Sequence, residues 1–139
     1  MSYARRESVS ITTSTGGAAT VYLPSSTGSD LSPLTGSIIN LQYVHSGSTA
    51  TELSTAGDVT VTAEATGQAI YSTTEIGGAS LTLAPRQPTH GLTGTQLTYG
   101  TTVATGLPSV PIVLANDRVK IVVANGGSAK VGSFRITVQ

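Results

Sequence analysis

The chain has 139 residues and no cysteine, and its seven Lys and Arg balance seven Asp and Glu to a formal net charge of zero. Nucleic-acid binding is disfavoured because it needs a basic stripe to neutralise phosphates, and disulfide frameworks and thiolate metal sites are excluded. No apolar run approaches the ~20 residues of a membrane helix and no hydrophobic leader follows Met1, so we expect no membrane partner.

The composition favours a single all-β domain. A length of 139 residues suits one domain. Ser, Thr, Gly and Val recur throughout, and the β-branched residues among them fit a pleated sheet better than a helix. Only 10% of the residues are charged, which is low for a freely circulating protein and suits a subunit of a larger assembly.

The first predicted elements are an arm and two short strands. Met1–Glu7 shows no apolar alternation and is predicted to be an N-terminal arm. Residues 8–139 then form one β-sandwich domain. Ser8–Thr13 and Ala19–Leu23 each place apolar residues on one face, which predicts a strand in each segment.

The middle of the chain predicts four more strands separated by two long polar loops. The loops are residues 25–35 and His45–Gly57. The last three of the four strands follow one another across short turns, which predicts a meander. The predicted strands are Ser37–Val44, Asp58–Glu64, Gln68–Thr74 and Ala79–Ala84.

The following segment is harder to assign. Pro85–Gly91 contains two prolines, which remove ladder donors and predict a break. Leu92–Gly106 is ambiguous, with a weak strand at Gln96–Tyr99, and Ile112–Leu114 is a short apolar run. The assigned segments amount to about eight strands, which favours a two-sheet sandwich of jelly-roll type.

The last part of the chain gives the clearest strand pattern. In residues 118–124 every second residue from Val119 is a β-branched apolar residue, and in residues 133–138 apolar and polar residues alternate from the only phenylalanine, Phe134. Asn125, Gly126 and Gly127 lie between the two segments and tolerate positive φ, as a tight reversal requires. The sequence therefore predicts a terminal β-hairpin at the centre of the fold.

No constellation of residues indicates catalysis. His45 and His90 both lie in predicted loops without a partner at metal-ligand spacing, so we expect hydrogen-bonded or solvated histidines. Glu64 and Glu75 flank a predicted turn, where two ordinary surface carboxylates are the favoured interpretation. We therefore predict a protein that is not an enzyme and that has no catalytic residue, no metal site and no cofactor.

Two groups of residues are candidates for binding a partner. The predicted arm carries Tyr3, Arg5 and Arg6, residue types that are enriched at binding hot spots; a frayed basic terminus is the alternative. The terminal strands carry an outward basic set that either meets an acidic partner or only keeps a sheet face soluble. That set is Arg118, Lys120 and Arg135.

Several segments of the chain resemble the capsid cementing (decoration) proteins, a family of small tailed-phage virion proteins encoded among head genes. The segments that carry the resemblance are Val9–Thr13, Gly16–Tyr22, Asp58–Ile70, Pro85–His90 and Asn116–Phe134. They are turn and strand patterns that span most of the chain, and none is a chemical signature. The sequence departs from its relatives mainly at residues 46–57 and 92–106.

The resemblance implies a jelly-roll protein on the outside of an icosahedral shell of HK97-like major capsid protein. Such a protein is made in the bacterial host cytoplasm and clamps neighbouring capsid subunits, and the resemblance favours a homodimer over a trimer. The predicted arm would then order on the shell. The alternative is a receptor- or glycan-binding β-sandwich of a phage head or tail fibre, although this chain has no Trp for a sugar platform.

Overall fold

The computed structural model describes residues 3–25, 33–48, 50–88 and 109–139. Within these ranges the chain forms eleven strands and no helix, so the prediction of an all-β fold is confirmed. The strands are β1 (Arg5–Thr12), β2 (Ala19–Leu23), β3 (Leu34–His45), β4 (Asp58–Ala63), β5 (Ala69–Thr73), β6 (Leu81–Leu83), β7 (Arg86–Pro88), β8 (Ser109–Pro111), β9 (Val113–Asp117), β10 (Val119–Ala124) and β11 (Val131–Val138).

Most strands belong to two antiparallel sheets. One sheet has the order β1-β11-β3-β6, with β9 paired to the first part of β3, and the other has the order β2-β10-β4-β5. β7 and β8 form a separate two-stranded ribbon. The predicted break at Pro85–Gly91 is therefore wrong for residues 86–88. Pro88 is the last residue of β7, a position where the missing N–H of proline is compatible with strand pairing.

Both sheets direct their apolar side chains into one hydrophobic core. In β10 the buried residues include Ile121 and Val123, and in β11 they include Phe134 and Ile136. The Phe134 ring packs on the Tyr43 ring of β3, with ring centroids 5.2 Å apart. Two antiparallel sheets that share a core in this way form a β-sandwich.

The predicted terminal hairpin is wrong, because its two strands lie in different sheets. β10 pairs with β2 and β4, whereas β11 pairs with β1 and β3. Every second residue of the link has a positive φ: 54° at Asn125, 84° at Gly127 and 51° at Ala129. This backbone carries the chain out of one sheet and into the other, so the link between β10 and β11 is a β-arch.

A second arch, residues 13–18, joins β1 to β2 and is bonded to the first. The Gly126 N–H donates to the Gly17 carbonyl at 2.8 Å, and the Thr13 N–H donates to the Lys130 carbonyl at 2.8 Å. The hydroxyl of the buried Thr13 accepts the Lys130 N–H at 2.8 Å. These bonds satisfy main-chain groups at the end of the sandwich where the two arches lie, the arch end. Each arch therefore holds the other in place.

The first strand begins earlier in the chain than predicted. β1 begins at Arg5, so the last part of the predicted arm Met1–Glu7 and the predicted domain start at residue 8 are wrong. Arg5 and Glu7 pair in register with Val138 and Ile136 of β11. Main-chain ladder bonds extend the strand through charged residues, which an apolar pattern cannot reveal.

The predicted meander is also only partly correct. β4 and β5 pair as expected, but β6 pairs with β3 in the opposite sheet. The chain changes sheets between residues 74 and 80, where short glycine turns predict a reversal within one sheet. The weak strand predicted at Gln96–Tyr99, and all of Leu92–Gly106, lie outside the described residues.

The long segment between β3 and β4 closes the arch end of the sandwich. Leu53 is fully buried in the core. The Ser54 N–H donates to the Gly126 carbonyl at 2.9 Å, and the Val131 N–H donates to the Thr51 carbonyl at 2.7 Å. This segment is therefore fastened to the arches by main-chain bonds.

Truncating Phe134 to Ala should destabilise the fold by ~3–5 kcal/mol, because a fully buried ring between the sheets would leave a cavity. Urea unfolding of the purified chain measures this free energy. The matched control is Ser133→Ala, on the adjacent outward-facing position, which should change stability by less than ~0.5 kcal/mol. Equal stability of the two variants would place the ring outside the core.

Replacing Gly126 by Ala should destabilise the fold by ~1–3 kcal/mol, because a Cβ there meets the Thr13 Cγ2 and the Val123 Cγ1 at 2.9 Å. Gly16→Ala is the control, since a Cβ at that position has only the Ser14 Oγ nearby, at 3.8 Å. Thermal unfolding compares the two. If both variants melt at the wild-type temperature, the two arches are not in contact.

Candidate functional site

The residues of the predicted arm have different roles. Arg5 is engaged within the molecule: its Nε donates to Glu7 Oε1 at 2.7 Å and its Nη1 donates to the Pro33 carbonyl at 3.4 Å. Tyr3 is 80% exposed, and Arg6 is exposed on β1. Arg5 therefore fastens the start of β1 to the segment before β3, while Tyr3 and Arg6 face solvent.

Arg118 is also engaged within the molecule, at the start of β10. Its Nε and Nη2 donate to the two carboxylate oxygens of Glu64 at 2.6 and 2.8 Å. Its guanidinium carbon lies 4.4 Å from the centroid of the Tyr22 ring. The hydrogen bonds between the pair lower the pKa of Glu64 and raise the pKa of Arg118. Both the charge and the flat face of Arg118 are thus used inside the chain.

The predicted basic set of Arg118, Lys120 and Arg135 does not form one surface. Lys120 lies in β10 opposite Tyr22, and Arg135 lies in β11 opposite Ser8. Because β10 and β11 belong to different sheets, Lys120 and Arg135 project from opposite sides of the sandwich. The prediction is therefore wrong, and its physical cause is the arch that replaces the hairpin.

The structure instead brings Arg6 and Arg135 together. The register pairs Arg6 with Thr137 and Ser8 with Arg135, so the two arginines are diagonal neighbours on adjacent strands. Diagonal neighbours on one sheet face are about 7–8 Å apart, within reach of long side chains. Nothing in the sequence connects residues 6 and 135, because the pairing of the first strand with the last is a long-range feature of the fold.

We call the outer side of the β1-β11-β3 sheet the arginine face. Hydroxyl and amide side chains make up most of it, and among the described residues it includes no Asp or Glu. One of its internal bonds runs from Gln42 Nε2 to Thr82 Oγ1 at 3.1 Å. The face consists of Arg6, Ser8, Ser10, Thr12, Ile39, Asn40, Gln42, Val44, Thr82, Val113, Val131, Ser133, Arg135 and Thr137.

The arginine face has an apolar corner and a shallow depression. Ile39 and Val113 are 43% and 54% exposed. Ile39 is the extra residue of the irregularity where β3 passes Thr137 and Val138 of β11. The depression, of about 320 Å³, lies farther along the same face, with a lining that includes Ser10, Val44, Val131 and Ser133. Neither the apolar corner nor the depression could be predicted from the sequence pattern, because both depend on how distant strands are placed.

The residues weighed for catalysis do not assemble into a site. Glu64 and Glu75 lie at opposite ends of the β4–β5 hairpin and cannot meet across a turn. His45 Nδ1 accepts a turn N–H at 2.9 Å and lies 3.4 Å from Glu52 Oε2, whereas His90 lies outside the described residues. Within the described ranges no three or more His, Cys, Asp or Glu are grouped as a metal ion would need.

Comparisons with protein-family models, with curated proteins and with solved structures found no match for this chain. In the part of the chain that the structure describes, no helix is long and apolar enough to span a membrane. A functional assignment therefore depends on the surface chemistry of the sandwich and on the resemblance given by its sequence patterns.

Replacing Glu64 by Gln should lower stability at neutral pH. Because the pKa of Glu64 is lowered in the folded state, its carboxylate stabilises the fold above its unfolded pKa, and this contribution is lost as the pH falls through the folded pKa. The difference in urea midpoint between wild type and variant should shrink as the pH drops below about 4, the usual range of a glutamate.

The matched control is Glu75→Gln, because the ion pairs found among the described residues do not involve Glu75. A difference between wild type and Glu64→Gln that stays constant across the pH series would contradict a stabilising Arg118–Glu64 pair in solution.

Proposed function

We propose that this chain is a virion structural protein that binds the outside of an icosahedral tailed-phage capsid and clamps neighbouring subunits of an HK97-like major capsid protein. It is a cementing, or decoration, protein of the outer capsid surface, made in the host cytoplasm, and it catalyses no reaction. The observation that carries the proposal is the arginine face, which combines two exposed guanidinium groups with exposed Ile39 and Val113. Arginine and apolar side chains are typical of interface cores.

The strand order supports a jelly roll, the fold that the resemblance implies. With β7, β8 and β9 set aside, eight strands remain in chain order. The first pairs with the eighth, the eighth with the third and the third with the sixth. In the other sheet the second pairs with the seventh, the seventh with the fourth and the fourth with the fifth. We infer that these eight strands are the two four-stranded sheets of a jelly roll.

The charged residues are distributed unevenly over the sandwich. This supports binding to an acidic capsid surface, although the chain as a whole has no net charge. Six cationic residues and three carboxylates lie in the half of the sandwich where β1 begins, giving that half a formal charge of +3. The arch half holds Lys130 and three carboxylates, giving −2. Asp30 lies outside the described residues. During encounter, an acidic surface attracts the basic half of the sandwich, which includes Arg6 and Arg135 of the arginine face.

The charged residues divide as follows. The basic half contains Arg5, Arg6, Arg86, Arg118, Lys120 and Arg135 with Glu7, Glu64 and Asp117. The arch half contains Lys130 with Glu52, Asp58 and Glu75.

The clamp works by adding buried area across seams between capsid subunits. Packaged DNA pushes the shell outward, and each docked copy resists separation of the two subunits that it bridges. An interface of about 1,000–2,000 Å² per copy is sufficient, because many copies act together without any single very tight site. We propose a homodimer, since closed two-fold symmetry lets one docking surface serve both bridged subunits.

A receptor- or glycan-binding role is less well supported by the aromatic residues. A sugar platform needs an open ring face, and the Tyr22 ring is covered by the Arg118 guanidinium. Tyr43 is buried in the core, and Tyr71 packs against the core. Among the described tyrosines, Tyr3 is the one that presents its ring to solvent.

Purified particles of the phage that encodes the chain should contain hundreds of copies, because a cementing protein repeats with the capsid lattice. Quantitative mass spectrometry against the major capsid protein measures the ratio. Particles that lack the chain should lose their DNA at lower temperature or lower ionic strength than complete particles. A few tens of copies or fewer would indicate a fibre, and absence from particles would contradict the proposal.

A further inference from the structure

Four arginines lie in or next to strands β1, β10 and β11, and they divide into two kinds. Arg5 and Arg118 each hold a carboxylate within the chain, at 2.7 and 2.6 Å. Arg6 and Arg135 take part in none of the ion pairs found among the described residues, and both are exposed. The chain thus neutralises the first two and leaves the second two available to another molecule.

The two available arginines share one surface that offers them no counter-charge. They are diagonal neighbours on β1 and β11, and the arginine face includes no carboxylate among its described residues. Like charges held side by side on a sheet are mildly unfavourable. A partner that brings carboxylates relieves this repulsion and gains bidentate hydrogen bonds, whose geometry suits guanidinium groups.

The shape of the arginine face suits a protein partner. The residues directly opposite the two arginines in the β1–β11 pairing are the small Ser8 and Thr137, so the arginines carry the longest side chains on the outer side of that strand pair. The apolar corner of Ile39 and Val113 and the depression of about 320 Å³ flank them at the two ends. An interface with apolar contacts at its ends and charge pairs between them excludes water from those pairs.

We propose that the arginine face is the docking surface of this chain and that its partner is a protein surface carrying paired carboxylates beside apolar side chains. This inference depends on the proposed function, in which that surface belongs to the capsid shell. Arg6 and Arg135 bind the carboxylates, and Ile39 and Val113 pack on the apolar side chains. The other sheet, with Lys120 and the Arg118–Glu64 pair, faces away from the shell.

Nucleic acid is a poorer occupant for this surface. A protein that binds duplex DNA typically neutralises many phosphates along a groove. The arginine face supplies two cationic side chains, at diagonal positions. Two guanidinium groups among neutral hydroxyl side chains match a local pair of carboxylates better than a continuous run of phosphates.

The test compares two charge-reversed variants with equal change in net charge. One is Arg6→Glu with Arg135→Glu on the arginine face; the control is Arg86→Glu with Lys120→Glu elsewhere. Each is added to particles that lack the chain, and the bound fraction is measured after sedimentation. The arginine-face variant should bind at least about tenfold more weakly, equivalent to ~1.4 kcal/mol, and the control within about twofold of wild type. Matching circular dichroism spectra and melting temperatures establish that both variants are folded.

A second experiment needs no capsid. The same proteins are passed over immobilised poly-glutamate and over immobilised duplex DNA at low and high salt. Wild type and the control should be retained on poly-glutamate at low salt and released by high salt, which screens exposed charge pairs. The arginine-face variant should flow through poly-glutamate, and wild type should be released from duplex DNA at a lower salt concentration than from poly-glutamate.

The outcomes separate this inference from the proposed function. If wild type binds particles and the arginine-face variant binds equally well, the docking face is wrong while the capsid role stands. If wild type does not bind particles, the capsid role fails, and retention on poly-glutamate then decides whether the face recognises carboxylates. Stronger retention on DNA than on poly-glutamate, or loss of binding by the control alone, would overturn the inference.

Discussion

Main-chain hydrogen bonds between residues 13–17 and 126–130 hold two arches together, and these arches decide which strands share a sheet. The Gly17 carbonyl accepts the Gly126 N–H, and Thr13 exchanges hydrogen bonds with Lys130. A side chain on Gly126 has no room, because a Cβ there would meet Thr13 and Val123 at 2.9 Å. Since each arch carries the chain from one sheet to the other, β10 and β11 cannot pair, and β11 instead lies between β1 and β3.

The surface chemistry follows from that arrangement. Placing β11 beside β1 puts Arg135 next to Arg6, whereas Lys120 projects from the opposite sheet. The same arrangement puts most of the cationic residues in the half of the sandwich that lies away from the arches. A chain with no net charge therefore has one face and one end suited to an acidic partner. The arch end is closed by the segment around Leu53, which is fully buried.

Local patterns predicted the strands better than their partners. Period-2 alternation located β2, β4 and β10 closely, because burial of every second residue is a local property. Alternation is identical for a hairpin and an arch, so it could not show that β10 and β11 face each other across the core. Arg5 looked like part of an arm because ladder bonds to Val138 leave no trace in the sequence. The arginine face, which needs that pairing, was not predictable from the residues alone.

The central claim is that the arginine face rests on a capsid shell, and cryo-electron microscopy of purified particles tests it most directly. At a resolution that shows side chains, we expect this sandwich on the outer surface of the shell, with Arg6 and Arg135 within hydrogen-bonding distance of carboxylates of the major capsid protein. The other sheet, with its Arg118–Glu64 pair, should face solvent. A map in which the arginine face points to solvent, or in which the chain is absent from the shell, would contradict the account.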